Sequence, residues 1–168
     1  GMINQTINGR YELVERIGEG GFGSVFKAKD LRLGHHVAVK ILTLTHDEHQ
    51  QLIKDRFTAE AQISARLQHE NILKTFDFGE HNDGQSLFLV SELLTGHTIA
   101  EELREGPLSV SRTVELMKQL FSGLSEAHEF EIIHRDLKPS NLFVHQRLRN
   151  GKPHETLKVI DFGVAKSL

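Results

Sequence analysis

The 168 residues, 38% of them hydrophobic and 26% charged, are enough for a domain with a real core and contain none of the low-complexity tracts that mark a disordered chain. A net charge of −3 argues against a basic surface for nucleic acid or anionic membrane, and the absence of cysteine excludes disulfides and points to a reducing compartment, here read as the cytoplasm. The longest apolar runs, such as Leu87-Phe88-Leu89-Val90, are strand-length and far short of the roughly 20 residues a membrane helix needs, so no membrane segment is expected.

Gly1-Met2 reads as a tag-removal scar before a native Met, and residues 1–10 as an N-terminal extension. Residues 11 to 45 read as strands. "YELVERIG" runs into a glycine-rich turn, "SVFKAK" follows, and "DLRLGHH" interrupts the pattern before "VAVKIL", with Leu33-Gly34 as a hairpin signal. Residues 47 to 67 switch to helical period: Ile53, Phe57, Ser64 and Leu67 share a stripe that contains Glu60. Strands are expected near 72 to 78 and 86 to 93, on either side of "EHNDGQ".

The character changes at 92 to 96. A short helix around 98 to 104 stops at Gly106-Pro107, where a backbone donor is missing. Next, Val110, Val114, Met117, Phe121, Leu124 and His128 step by four and three, and Leu116, Leu120 and Ala127 widen the stripe, which predicts a largely buried helix. Strands near 142 to 145 and 156 to 160 flank the turn "RNGKP". The chain therefore reads as α+β, with a mostly β first part to about residue 95 and a second part from 96 dominated by one long helix. The eleven histidines are scattered, and the close pairs His35-His36 and His46/His49 read as solvated turn and helix-end residues.

Four stretches carry candidate chemistry. "IGEGGFGSV" spaces Gly18, Gly20 and Gly23 as G-x-G-x-x-G. Alone, that pattern fits a simple turn or a dinucleotide site; a strand and hairpin after it, instead of a helix, suit a loop whose N–H groups fold over phosphates. Lys40 ends "VAVK" on the same face as Ala38, with Val25 on the adjoining strand: an apolar surface with an ammonium at its edge, able to clamp phosphate oxygens or simply to reach solvent. Glu60, a charge inside an apolar stripe, either snorkels to the helix edge or pairs, and Lys40 is the obvious partner. "VIDFGVA" ends a strand on Asp161, which caps a turn or, with Asn141, holds a divalent cation through oxygen ligands. In "IIHRDLKPSN" a single carboxylate, Asp136, stands between Arg135 and Lys138.

Taken together the sequence resembles the eukaryotic-like serine/threonine protein kinase family. The matches are Gly18-x-Gly20-x-x-Gly23-x-Val25, the lysine of Val37-Ala38-Val39-Lys40, a helix glutamate, His134-Arg135-Asp136-Leu137-Lys138-x-x-Asn141 and Asp161-Phe162-Gly163, in family order from about residue 11 to the end. The resemblance implies a two-lobe fold: a first lobe at 11–95 with an antiparallel sheet and one helix, a hinge at 92–96, and a partial second lobe at 96–168.

It further implies ATP and Mg2+ as cofactors, Ser/Thr hydroxyls of proteins as substrates, and a role for each matched residue. Asp136 takes or orients the hydroxyl proton, Lys138 neutralises the moving phosphoryl group, and Asn141 and Asp161 hold magnesium. Lys40, fixed by Glu60, grips the α- and β-phosphates under the glycine loop. Arg135 binds a phosphorylated residue of the activation loop. Adenine lies between Val25 and Ala38 on one side and Phe143 on the other, hydrogen-bonded by backbone at Glu92 and Leu94, with Ser91 in the gatekeeper position. "DLKPSN" favours serine or threonine over tyrosine.

Only five residues follow Gly163, so the rest of the activation segment and most second-lobe helices are not represented, and the 110 to 130 helix is expected to lose part of its cover. Three readings follow: the nucleotide-binding and catalytic portion of a protein kinase, a nucleotide-binding or regulatory module with little transferase activity, or an interaction fragment that associates with its own copy through the exposed helix face.

Overall fold

Alternating side chains in β3 and short apolar runs in β4 and β6 make a sheet of the first part of the chain, and the computed structural model, which describes residues 1–20, 23–45, 49–129 and 137–160, pairs it as β1 (Thr6–Ile7), β2 (Tyr11–Gly20), β3 (Gly23–Asp30), β4 (His36–Thr43), β5 (Thr75–His81) and β6 (Ser86–Ser91). The order is β1-β2-β3-β4-β6-β5, antiparallel throughout. Phe26, Val39 and Val90 line up across three strands and, with Ile7, Tyr11, Leu13, Val37 and Phe88, fill the main core on one face. The opposite face takes α1 (Gln50–Arg66), whose Phe57 and Ala61 bury with Leu44 and Leu87.

Within the stretch read as an extension, Ile7 is fully buried and pairs with Tyr11, so the sheet begins earlier than residue 11. Arg10 then forks onto Asp30, Nε to Oδ1 at 2.9 Å and Nη2 to Oδ2 at 2.8 Å. Asp30 also accepts the N–H groups of Arg32 and Leu33, which closes the turn into Gly34. The Arg10 hydrogen bond, with those two N–H donors, holds the Asp30 carboxyl well below the usual carboxylate range.

The second compact unit takes the described residues from Leu94 onward together with 66–74. Its elements are β7 (Gly96–Thr98), α2 (Ile99–Arg104), α3 (Val110–Glu129), a single 3-10 turn (Pro139–Asn141), β8 (Leu142–Arg149) and β9 (Lys152–Val159). Thr98 and Glu101 form a reciprocal capping box that starts α2. The core is Ile99, Leu116, Leu120, Leu142, Val144, Leu157 and Val159.

Two expectations shift here. The strand placed at 72 starts only at Thr75, because 71–73 are engaged by β9: Val159 N–H donates to the Asn71 carbonyl, Leu73 N–H to the Val159 carbonyl, and Ile72 forms a parallel bridge. Asn71 Nδ2 also donates to Gln119 Oε1 (3.0 Å) and to the Leu157 carbonyl (2.9 Å). And α3 buries its Leu116, Leu120, Gly123 and Ala127 side, while Val110, Val114 and Phe121 of the expected stripe lie 82%, 49% and 62% exposed. Gly123 explains the rotation, since a Cβ there would stand 3.2 Å from both Asn71 Cβ and its carbonyl oxygen. The glycine lets the helix approach that segment and turns this side inward.

A polar network ties helices and sheet of this unit together. Arg112 bridges Glu102 (Nε–Oε2 2.6 Å) and Glu155 (Nη1–Oε1 2.8 Å), and His97 Nε2 lies 2.7 Å from Glu102 Oε1. Chiefly through the Arg112 hydrogen bond, and against its own desolvation, the Glu102 carboxyl is held down to about 2 from an ordinary 4.5. A lowered folded-state pKa stabilises fully above 4.5 and loses that stabilisation as pH falls toward 2. We expect the thermal midpoint to drop across that window, with Glu102 contributing on the order of 2–3 kcal/mol. Glu102→Gln should flatten the dependence there, as circular dichroism melts at stepped pH would show.

Candidate active site

Strand register brings one set of predicted residues together. Val25, Lys40 and Leu89 form one cross-strand row and Lys27, Ala38 and Ser91 the next, so all six share the face opposite the main core. Val90 turns the other way, into that core, with no exposure. Ala38 and Ser91 are buried, Val25 and Lys40 half-buried. The Ser91 hydroxyl donates to the Glu92 carbonyl at 3.4 Å. Leu89 and Lys27 were not singled out from sequence; their positions two residues from Ser91 and Val25 on alternating strands are the signal that places them here.

The glycines act differently from one another. Gly18 pairs with Val25, and a Cβ on it would meet Val25 Cβ at 3.7 Å, ordinary contact, so its bareness only keeps the row clear. Gly20 pairs with Gly23. Gly23 has φ +131°, and a Cβ there would stand 2.1 Å from the Ile41 carbonyl oxygen, so β3 can start against β4 only without a side chain. Glu60 lies half-buried on α1, about one turn after Phe57 and next to Ala61, on the helix that covers this face, with its Oε2 shielded from solvent. The ion pairs of this unit among the described residues are Arg10–Asp30, Arg16–Glu19 and Lys54–Glu80. The expected Lys40–Glu60 pair is not formed within 4.0 Å.

The second unit carries the other set. Lys138 is extended (φ −145°, ψ 161°) and exposed, and its carbonyl accepts the Asn141 N–H at 2.9 Å across the turn that Pro139 opens. Asn141 is 8% exposed, and its own carbonyl accepts the Ile160 N–H at 3.0 Å, which fixes the residue preceding Asp161. Phe143 follows on β8, between Thr98 of β7 and Lys158 of β9. Leu94 is half-buried at the start of this unit, and Glu92 lies just past the end of β6 in the first. Asp136 and Asp161, with Arg135, lie outside the described residues.

The donor types suit a polyphosphate and a hard cation: an ammonium beside apolar surface in one unit, and in the other an exposed ammonium three residues before a buried amide oxygen. Comparison with known proteins gives the family of the chain. The protein kinase domain model matches residues 11–168. A serine/threonine-protein kinase, pkn3 of Myxococcus xanthus, is 42% identical over 167 residues, covering 98% of this chain and 29% of that protein. The serine/threonine-protein kinase PrkC of Bacillus subtilis is 36% identical over 168 residues, 99% of this chain and 24% of that protein. The chain thus spans under a third of the length of these relatives. Among solved structures, the PknI kinase domain of Mycobacterium tuberculosis superposes with a TM-score of 0.80 at 24% identity over 97% of this chain and 62% of that one, a likeness of fold.

The two glycines should separate in mutagenesis. Gly23→Ala places a methyl against the Ile41 carbonyl in a backbone region closed to alanine, at a cost of roughly 1–3 kcal/mol. Gly18→Ala should leave stability within about 0.5 kcal/mol. Urea denaturation of both proteins would check the difference.

Proposed function

This chain belongs to the protein kinase family, and on that premise we propose that it carries the machinery for ATP-dependent phosphoryl transfer to serine and threonine hydroxyls of proteins. The observation that carries the reading is the cross-strand row that puts Lys40 beside Val25 on the face of Ala38 and Ser91, in a chain that also holds the ordered kinase motifs. The names of the relatives, serine/threonine-protein kinases, and the "DLKPSN" segment support the hydroxyl class.

Magnesium-bound ATP supplies the phosphoryl group and the counter-charge. Toward it, Lys40 grips α- and β-phosphate oxygens and the N–H groups around Gly18, Gly20 and Gly23 shield them from water. Glu60 is the carboxylate whose matched role is to fix Lys40. Asn141 and Asp161 offer the oxygens that hold the metal. Asp136 accepts the hydroxyl proton as the new oxygen–phosphorus bond forms and the bond to the ADP oxygen breaks, and Lys138 neutralises charge on the moving group. By the matched roles, Val25 and Ala38 of the first unit and Phe143 of the second are the apolar contacts of the adenine, backbone at Glu92 and Leu94 reads its edge, and Ser91 leaves room behind it. The cysteine-free composition supports a reducing, cytoplasmic setting.

A second reading rests on Val110, Val114 and Phe121, exposed on one helix: a face that pairs with another copy or another chain. Sedimentation of wild type and Phe121→Ser tests it; an unchanged monomer in both removes it.

Transfer of labelled phosphate to a basic protein should fall by about a hundredfold or more in Asp136→Asn. Mg-ATP at a hundred times its Kd should stabilise the wild type by about 2.7 kcal/mol, and Lys40→Ala should lose most of that shift. Equal transfer by wild type and Asp136→Asn would overturn the catalytic reading. Ser91→Phe should abolish binding of purine inhibitors enlarged at the rear while ATP still binds.

A further inference from the structure

The β8–β9 hairpin runs past everything else in its sheet. β7 pairs only with Phe143–His145, yet β8 and β9 stay in register to Arg149↔Lys152, where Asn150 (φ 53°) and Gly151 (φ 74°) close a two-residue turn. A bare two-stranded ribbon is marginal in water, so its length needs a reason.

Its two faces differ. Val144 with Leu157, Gln146 with Glu155 and Leu148 with Pro153 lie toward the core side; Glu155 is already engaged by Arg112 and Gln146. The reverse face pairs Arg147 with His154 and Arg149 with Lys152. From His145 to His154 the sequence holds three cations, two histidines and no acid, within a chain of net charge −3. Like charges directly opposite each other destabilise a ribbon. Among the described residues the ion pairs within 4.0 Å leave out Arg147, Arg149 and Lys152, and Arg147, Arg149 and Lys152 are exposed. Leu148 is 73% exposed beside Pro153, over a concavity of about 510 Å³ formed by residues of the ribbon alone.

We propose that this ribbon is a docking surface for an extended acidic segment of a partner protein, with carboxylates at alternate positions. Arg147 and Arg149 recur about 6.8 Å apart along the strand, the same repeat that carboxylates two residues apart keep in an extended peptide. Pro153 removes a donor from the β9 edge and the charged Arg147 and Arg149 blunt the outer β8 edge, so the segment lies across the cationic face. A lipid surface is flat and meets either the cations or Leu148, which point to opposite faces. A nucleic acid brings a long run of phosphates, which a chain of net charge −3 with only three cations on this face is poorly built to hold. An extended acidic segment needs only the cationic face, where its alternate carboxylates meet Arg147 and Arg149. The proposal is about binding and does not rest on phosphoryl transfer.

The test is fluorescence anisotropy with a fluorescein-labelled peptide of six Glu-Thr repeats, against the same composition in two blocks and six Lys-Thr repeats. Wild type should favour the alternating acidic peptide and release it as salt rises from about 50 to about 500 mM, which shortens the Debye length from about 14 to about 4 Å. Arg147→Glu/Arg149→Glu/Lys152→Glu should weaken binding at least tenfold. Lys29→Glu/Arg66→Glu/Lys118→Glu, an equal charge change on scattered exposed positions, should weaken it less than threefold. Arg147→Gln/Arg149→Gln, which avoids charge reversal, should lose several-fold, so a misfolded triple variant leaves the question answerable. Equal loss in both triple variants, no preference for alternation, or binding to phosphatidylserine vesicles or single-stranded RNA but not to the peptide would overturn the proposal.

Discussion

The register of β3 against β4 and β6 decides what the first unit can present to a ligand. Because side chains alternate with period two, seating Lys40 between Val25 and Leu89 also seats Ala38 between Lys27 and Ser91, and consigns Val39 and Val90 to the core. A slip of one residue would exchange the two sets, putting branched apolar groups where the ammonium stands and burying the ammonium. The apolar core on the far face makes that slip prohibitively unfavourable, so packing that touches no ligand fixes the chemistry of the side that does. Gly23 belongs to the same constraint: the close approach of its backbone to Ile41 is what lets the glycine segment begin directly on this register.

In the second unit the comparable role falls to amides. Gln119 Oε1 accepts from Asn71 Nδ2 and from the Leu157 N–H (2.8 Å), so one side chain on α3 holds both the 66–74 segment and β9. Leu157 and Val159 sit between these bonds at zero exposure, and β9 leads directly to Asp161. Buried polar groups satisfied in this way make a sheet edge definite where hydrophobic contact alone would tolerate sliding. Arg112, gripping Glu102 and Glu155, does the same two residues earlier on the strand.

Much of this was legible in the sequence. The strands between residues 11 and 43, α1, α2 and the extent of α3 announce themselves by period and by Gly-Pro punctuation, and the shared face of Ala38 and Lys40, with Val25 on the adjoining strand, follows from alternation, whereas Ser91 is placed only by the family resemblance. What escaped reading depends on distant partners. Nothing local says that Ile7 joins the core or that Asn71 is claimed by β9, because those pairings are settled by residues tens of positions away. The orientation of α3 was ambiguous for a related reason. Its apolar residues span most of the helix circumference, and Gly123, which chooses the inward side, has no side chain to register in a hydrophobic pattern. The reach of the hairpin was underestimated because charged residues read as loop, although Asn150-Gly151 was a tight-turn signal in plain view. The distance between Lys40 and Glu60 is not a sequence property at all, since it depends on how α1 lies on the sheet.

The 66–74 excursion has a consequence for synthesis on the ribosome. The first unit closes only when β5 and β6 have emerged, yet the nine residues before β5 (66–74) find their partners at Gln119, Leu157 and Val159, translated later. During that interval the excursion is a waiting loop inside an otherwise complete sheet unit. No single cut of the polypeptide separates the two units with all their hydrogen bonds intact, so neither should be harvested as a contiguous fragment, and nascent chains released between residues 93 and 157 are the ones for which a chaperone matters most.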